Sequence, residues 1–303
     1  MKKTEMARAY LSLCASMLIF GSIGIFRKYL PVPSGFLALT RAVVGAVFLL
    51  LIMIIGNRRL SAAAVKRNLW KLCLSGAFLG INWILLFETY EYTAVSVATL
   101  CYYMAPVFII AVSPFILKER LTTKKIICAA GSLLGMVLVS GIVTGGSLLG
   151  GNAIGILLGL ASAVFYASVV IMNKKISDIS PYDKTFVQLA SAAVVMFPYV
   201  FICEDIAPVP FDLRTVILLG VVGVIHTGVA YALYFGALRH TSAQSAALCS
   251  YIDPASALIM SALILGERLD LYGIIGAVMI LAFAAVGEIS LKKKATVNGS
   301  KNA

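Results

Sequence analysis

CYYMAPVFIIAVSPFILKERL, residues 101–121, and CSYIDPASALIMSALILGERL, residues 249–269, are two copies of one design. Cys101 falls on Cys249, Tyr103 on Tyr251, Pro106 on Pro254, Glu119 on Glu267, Arg120 on Arg268 and Leu121 on Leu269, all at an offset of 148 residues. Each copy is long and apolar enough to cross a ~30 Å hydrocarbon core as a helix. Each nevertheless carries a proline inside it, and the second sets Asp253 directly before that proline. Proline removes a backbone hydrogen bond, and a carboxylate at mid-span costs roughly 2.5–3.5 kcal/mol on insertion scales. Such interruptions are tolerated only where they face protein or a cavity, not lipid.

The match extends outward from these copies. Gly80 falls on Gly228, Phe87 on Phe235, Thr93 on Thr241 and Ala98 on Ala246. ASMLIFGS (15–22) lies over ASAVFYAS (161–168) at an offset of 146, and FLAL (36–39) over FVQL (186–189) at 150. The chain is therefore a duplication, with residues 1–146 as one repeat and 147–303 as the other, joined through the glycine-rich TGGSLLGGN at 144–152.

Composition sets the environment. Of 303 residues, 61% are hydrophobic and 13% charged, and the mean hydropathy is +0.98. Soluble domains carry about 25% charged residues, so this chain lacks the charge to cover itself in water. Ten apolar spans are read, at roughly 9–26, 36–55, 69–87, 94–117, 126–143, 153–172, 186–202, 216–238, 242–265 and 272–289. Their apolar runs are continuous rather than alternating, which predicts helices rather than a barrel. The expected fold is an all-α polytopic membrane protein of ten transmembrane helices. Five spans per repeat is an odd number, so the second repeat enters from the opposite side. Inverted repeats of this kind frame substrate sites near the midplane in many secondary transporters.

The net charge of +12 raises a nucleic-acid partner, and its distribution removes that reading. With the N-terminus on the cytosolic side, 20 of the 25 basic residues fall in segments on that side. This is the asymmetry of a multi-pass protein of the cytoplasmic membrane with both termini cytosolic. The six cysteines lie in or beside spans without a CxxC pair, and are read as small buried residues. The first span lacks an Ala-x-Ala site and is read as a retained helix. No GxxxxGK[ST], HExxH or Gly-x-Ser-x-Gly occurs, so ATP drive, metal and enzymatic readings find no support, and no cofactor is expected. The expected partners are the lipid bilayer, a small metabolite and protons. Oligomeric state is not readable.

The paired Pro…Glu-Arg-Leu, the Phe-Gly-Ser at 20–22 and the arginine in FLALTRAVVG (36–45) resemble the EamA-type branch of the drug/metabolite transporter superfamily, over about residues 9–290. The resemblance implies a ten-helix bundle with a central cavity lined mainly by spans 1, 3, 4, 6, 8 and 9. It also implies transport of small metabolites, often amino acids or related compounds, and often outward. Uptake, or facilitation without protons, is the alternative, and a non-transporting scaffold is a weaker one.

Asp253 is the sharpest candidate for substrate binding or coupling. It lies near mid-depth, where a carboxyl can exchange neutral and charged forms as a cavity opens; the bland alternative is a structural pair. The first repeat has Ala105 at that position. Arg41, near the outer end of span 2, can snorkel to headgroups, hold an anionic group or pair with Asp253. His226 is a relay or a packing histidine, and His240 and Glu288 sit at span ends. Trp83, Phe87 and Tyr90 share a helix face, with Tyr231, Phe235 and Leu238 as their repeat mates. Tyr102, Tyr103 and Tyr251 flank the helix breaks at Pro106 and Pro254. Asn82, Gln188 and Gln244 are further polar candidates. The two Glu-Arg-Leu sequences are expected to act as helix-end anchors and inter-loop salt bridges.

Overall fold

The computed structural model describes residues 2–57, 60–92, 95–139, 143, 153–207, 209–266 and 271–299. The 144–152 connector, Thr93 and the second Glu-Arg-Leu at 267–269 lie outside the described residues, as do the side chains of Tyr90 and Glu288.

Among the described residues ten helical units follow one another. They are α1 (Lys2–Lys28), α2 (Ser34–Ile55), α3 (Ala62–Tyr92), α4 with α5 (Val95–Tyr102, Ala105–Ile116) and α6 (Thr123–Val139). The second five are α7 (Ala153–Lys175), α8 (Pro181–Cys203), a composite eighth unit, α11 with α12 (Ala243–Ser250, Ile252–Leu265) and α13 (Leu271–Gly299). The eighth unit is α9 (Leu213–Val221), a π-helical stretch (Val222–Val229) and α10 (Ala230–Ala237). Eight units are long and apolar enough to cross a membrane; the apolar part of α13, Leu271–Gly287, is shorter, and α6 has 17 residues. Several helices run past the predicted spans, notably α3, because polar residues at a span end keep their intrahelical bonds outside the apolar core.

Both prolines act as helix starters. Pro106 occupies the first turn of α5 and Pro254 the first turn of α12, where the missing N–H would have no intrahelical partner anyway. The fourth unit therefore opens at Tyr103–Met104 and the ninth at Tyr251. At other helix starts, Ser180, Asp212 and Ser242 accept hydrogen bonds from Tyr182 N, Thr215 N and Ser245 N, as N-caps do. The bonds from Thr215 hold the Asp212 carboxyl below the usual carboxylate range.

Packing repeats by half. α3 lies on α7 and α8, and the eighth unit lies on α1 and α2 in the same way. α7 contacts α4 and α5, and α1 contacts α12. The pairs α2 with α8, α5 with α11 and α6 with α13 join equivalent units across the pseudo-twofold axis. Glycine permits the closest approach. Gly45 on α2 would place a methyl group 3.1 Å from the Gly223 carbonyl and 3.2 Å from the Gly228 nitrogen of the π-helical stretch. The outer surface is apolar, with Phe115, Ile55 and Leu263 each at least 80% exposed, which in water would be untenable and in lipid is required.

Candidate functional site

One layer of aromatic rings crosses the bundle between the two breaks. Tyr231 on α10 meets Phe20 on α1 edge-on at 5.0 Å, Trp83 on α3 at 6.0 Å and Phe235 at 5.3 Å between ring centroids. Phe20 also reaches Tyr234 at 6.5 Å. Tyr102, at the end of α4, contacts Tyr103 at 5.4 Å and Tyr166 on α7 at 5.8 Å. The Tyr234 hydroxyl faces those of Tyr166 and Ser250. Trp83, Tyr231, Tyr234 and Tyr251 are buried. These are the tilted and edge-to-face geometries that ring quadrupoles favour.

Two opposite charges enter this layer from different helices. The Arg41 guanidinium lies 4.2 Å over the Trp83 ring, a cation–π contact, with the Tyr231 ring edge-on to that indole. It therefore points inward and does not snorkel. Asp253, in the first turn of α12, stands beside the Tyr103 side chain. Both charges act on Tyr102 and on Tyr231. Among the described residues Arg41 has no carboxylate within ion-pair distance, and its buried Nε has no acceptor. Both side chains keep partial access, as do Tyr102 and Tyr103 beside Asp253, while Trp83 and Tyr231 beside Arg41 are buried. Asp253 stands ten residues into the ninth unit, roughly 15 Å deep, and Arg41 seven residues into α2, roughly 10 Å from the opposite end, at 1.5 Å per residue.

The Phe-Gly-Ser of α1 now has a physical account. Phe20 joins the ring layer. A methyl group at Gly21 would stand 2.7 Å from the Asp253 carbonyl and would collide with Ser256, so glycine lets α1 close on α12. Ser22 bonds His226 Nε2 at 2.9 Å, and Phe26 packs edge-on against that imidazole at 4.7 Å. His226 lies in the π-helical stretch, whose extra residue per turn re-aims side chains and often marks functional positions.

Other predicted residues separate from this layer. Asn82 is fully buried and donates to Ser162 O and Oγ, both at 2.8 Å, joining α3 to α7. Gln188 and Asn173 both bond Ser75 and tie α8 and α7 to α3. The Tyr251 hydroxyl reaches the carbonyl of Tyr103, its own repeat mate, at 3.3 Å. Phe20, Tyr166, Tyr234 and Ser22 were not among the sequence candidates. The repeat alignment held a signal for one pair, since Phe20 falls on Tyr166.

The first Glu-Arg-Leu does more than anchor a helix end. Glu119 accepts from Ala243 N at 2.8 Å and Gln244 N at 3.2 Å, capping α11 of the other half, where a carboxylate also complements the helix dipole. Lys174 donates to the carbonyls of Leu238 and Thr241 at the end of the preceding unit. Lys125 bonds Gln244 Oε1 at 2.6 Å, and Gln244 in turn bonds Ser113 at 2.7 Å. Units 4, 5, 6, 8 and 9 are thus tied together at one end of the bundle. The second Glu-Arg-Leu lies outside the described residues.

A cavity of about 410 Å³ lies at that same end, between α1, α2, α8 and α10. It reaches neither Arg41 nor Asp253. The chemistry therefore rests on the charged ring layer.

The EamA-like transporter family matches this sequence twice, over residues 7–141 and 153–286. The uncharacterized transporter YxxF of Bacillus subtilis is 31% identical over 293 residues, covering 97% of this chain and 93% of its own. An uncharacterized transporter of Clostridium kluyveri is 27% identical over 260 residues, covering 81% and 84%. A protein of known crystal structure superposes with a TM-score of 0.82 at 17% identity, over 95% of this chain and 98% of that one.

Proposed function

Because this chain belongs to the EamA-like transporter family, we propose that it is a secondary transporter exporting a small zwitterionic metabolite, an amino acid or close relative, by alternating access. One observation carries the substrate class. Arg41 over the Trp83–Tyr231 ring pair and Asp253 at the break of the ninth unit are a guanidinium and a carboxyl that enter from different helices and are not paired with each other among the described residues. A substrate carboxylate fits the guanidinium fork. A substrate ammonium fits Asp253 and the faces of the surrounding rings. Trp83, Tyr231, Tyr102 and Tyr103 supply the walls, with the fully buried Tyr251 behind Tyr103, while His226 and Ser22 brace α1 against the eighth unit.

Coupling follows from the same carboxyl. Asp253 is shared between an incoming proton and an outgoing ammonium, so binding of one displaces the other. Alternating access draws support from the inverted repeat and from the tie at Glu119, Lys125 and Lys174. The basic-residue asymmetry supports reading that end as the cytosolic one. The described arrangement therefore has its cytosolic mouth fastened, and opening inward means releasing the α11 cap. The helix starts at Pro106 and Pro254 give each half a second rigid segment that pivots at Tyr103–Met104 and at Tyr251. No catalytic step or cofactor enters this reading.

The test is flux from proteoliposomes loaded with a pooled metabolite mixture under an inward proton gradient, with losses read by mass spectrometry. Selective loss of a zwitterion that needs both the gradient and Asp253 is the expected result. Loss indifferent to the gradient and to Asp253→Asn identifies a facilitator and returns the carboxylate to a structural role. Accumulation instead of loss reverses the direction.

A further inference from the structure

The cavity at the fastened end belongs to neither the ring layer nor the tie, and we propose that it is a phospholipid site holding an aminoethyl-phosphate headgroup and one acyl chain. Its walls are α1 and α2, which both pack on the eighth unit but hardly on each other. The gap left between them is floored by Ala232, Leu233 and Gly236, small or apolar residues on the side of α10 away from the rings. Phe48, Leu49 and Val229 continue the apolar lining toward mid-membrane. Ile52 lines the cleft and is still 38% exposed, so it stands at the rim between the cleft and the outer face of α2. At about 410 Å³ it has the size of a ligand site rather than of a packing defect.

Charge appears only at the mouth, where Arg8, His240 and Glu5 are all exposed. They sit at the end of α1 and just past α10, the level of the headgroups. Basic pockets between transmembrane helices recognise lipid headgroups. Arg8 offers a planar donor fork suited to a phosphate diester, and His240 adds a second donor beside it. Glu5, one turn before Arg8 on the same face of α1, is the only acid in the lining. It would repel a glycerol-type anionic headgroup's negative field and attract an amine beyond the phosphate. A phosphoethanolamine headgroup satisfies all three groups, and the trench below takes its chain. The site is independent of which molecule the transporter carries.

Native mass spectrometry of the full-length protein in detergent, given equal amounts of phosphatidylethanolamine and phosphatidylglycerol, tests this. The wild type is expected to retain one phosphatidylethanolamine in preference to phosphatidylglycerol. The Arg8→Ala, His240→Ala double variant should lose retention of either lipid by roughly ten-fold, as for loss of a charge-assisted contact. Glu5→Gln should keep a phospholipid but lose the preference between the two. All three positions are exposed, so a monodisperse gel-filtration peak and an unchanged helical circular-dichroism spectrum certify the fold of each variant. Equal retention by the double variant overturns the site and reduces the signal to annular lipid. A wild-type preference for phosphatidylglycerol, or an undiminished preference in Glu5→Gln, overturns the headgroup assignment.

Discussion

The two halves share their rings and differ in their charges. Phe20 pairs with Tyr166, Trp83 with Tyr231, Phe87 with Phe235 and Tyr103 with Tyr251 under the repeat alignment, and all but Phe87 have been placed in or beside the central layer. The charged members have no such mates. Arg41 corresponds to Ser191, Asp253 to Ala105 and His226 to Phe78. The backbone differs at the same places: α3 is one continuous helix of 31 residues, while its counterpart is interrupted by the π-helical stretch that carries His226. Symmetry thus builds the frame and the pivots. Departure from symmetry supplies the charged groups to which the proposed binding chemistry is assigned.

The strongest way to break this contrast is to erase it. Replacing Asp253 by alanine, the residue of its mate, should cut gradient-driven flux by roughly 100-fold, the scale of losing a charged hydrogen-bond partner, while the protein stays folded. Flux in proteoliposomes is the readout; wild-type flux would mean that the asymmetry is incidental. Arg41→Lys keeps the charge but loses the fork and the stacking, and should raise the half-saturating substrate concentration about ten-fold with little change in maximal rate. The two glycines of α1 sharpen the structural side. Gly21→Ala should destabilise the protein by about 1–3 kcal/mol through overpacking against α12. Gly24→Ala, with nothing within 4 Å of the new methyl group, should be neutral or slightly stabilising. Thermal unfolding in detergent compares them directly.

Smaller effects are expected at the ends. Glu119→Gln keeps an acceptor but removes the charge that complements the α11 dipole, a loss of about 0.5–1 kcal/mol. It should raise cytosolic-side labelling of a cysteine introduced near Tyr103 by about three-fold. Unchanged labelling would remove Glu119 from the gate. Asp212 gives the smallest effect. Its carboxyl is held below the usual range in the folded state, so its contribution to stability is present above the unfolded value and fades as pH falls through the lower folded one. Asp212→Ala should flatten that acid limb of the unfolding curve.

Most of the frame was legible because membrane helices announce themselves by length and because a duplicated chain carries its own internal comparison. Asp253 and Arg41 were legible for a related reason: an ionisable group inside a span is costly and needs a partner. What remained hidden depends on long-range geometry. Nothing local to Glu119 says that it caps a helix starting at residue 243. Asn82 looks as much like a site residue as Asp253 until Ser162 is seen to take its amide. The π-helical stretch at Val222–Val229 has no pattern of its own: the repeat offset is 148 both inside it, at Gly80 and Gly228, and beyond it, at Phe87 and Phe235.

The bond between Tyr251 and Tyr103 has one further consequence. Two groups related by a twofold can make such a bond in two equivalent ways, with either tyrosine as donor and the other's carbonyl as acceptor. The described arrangement uses one of them, from the Tyr251 hydroxyl, with Asp253 beside the Tyr103 side chain. On the transport reading proposed above, whatever occupies that carboxyl would bias which tyrosine donates, and so which repeat holds the tie.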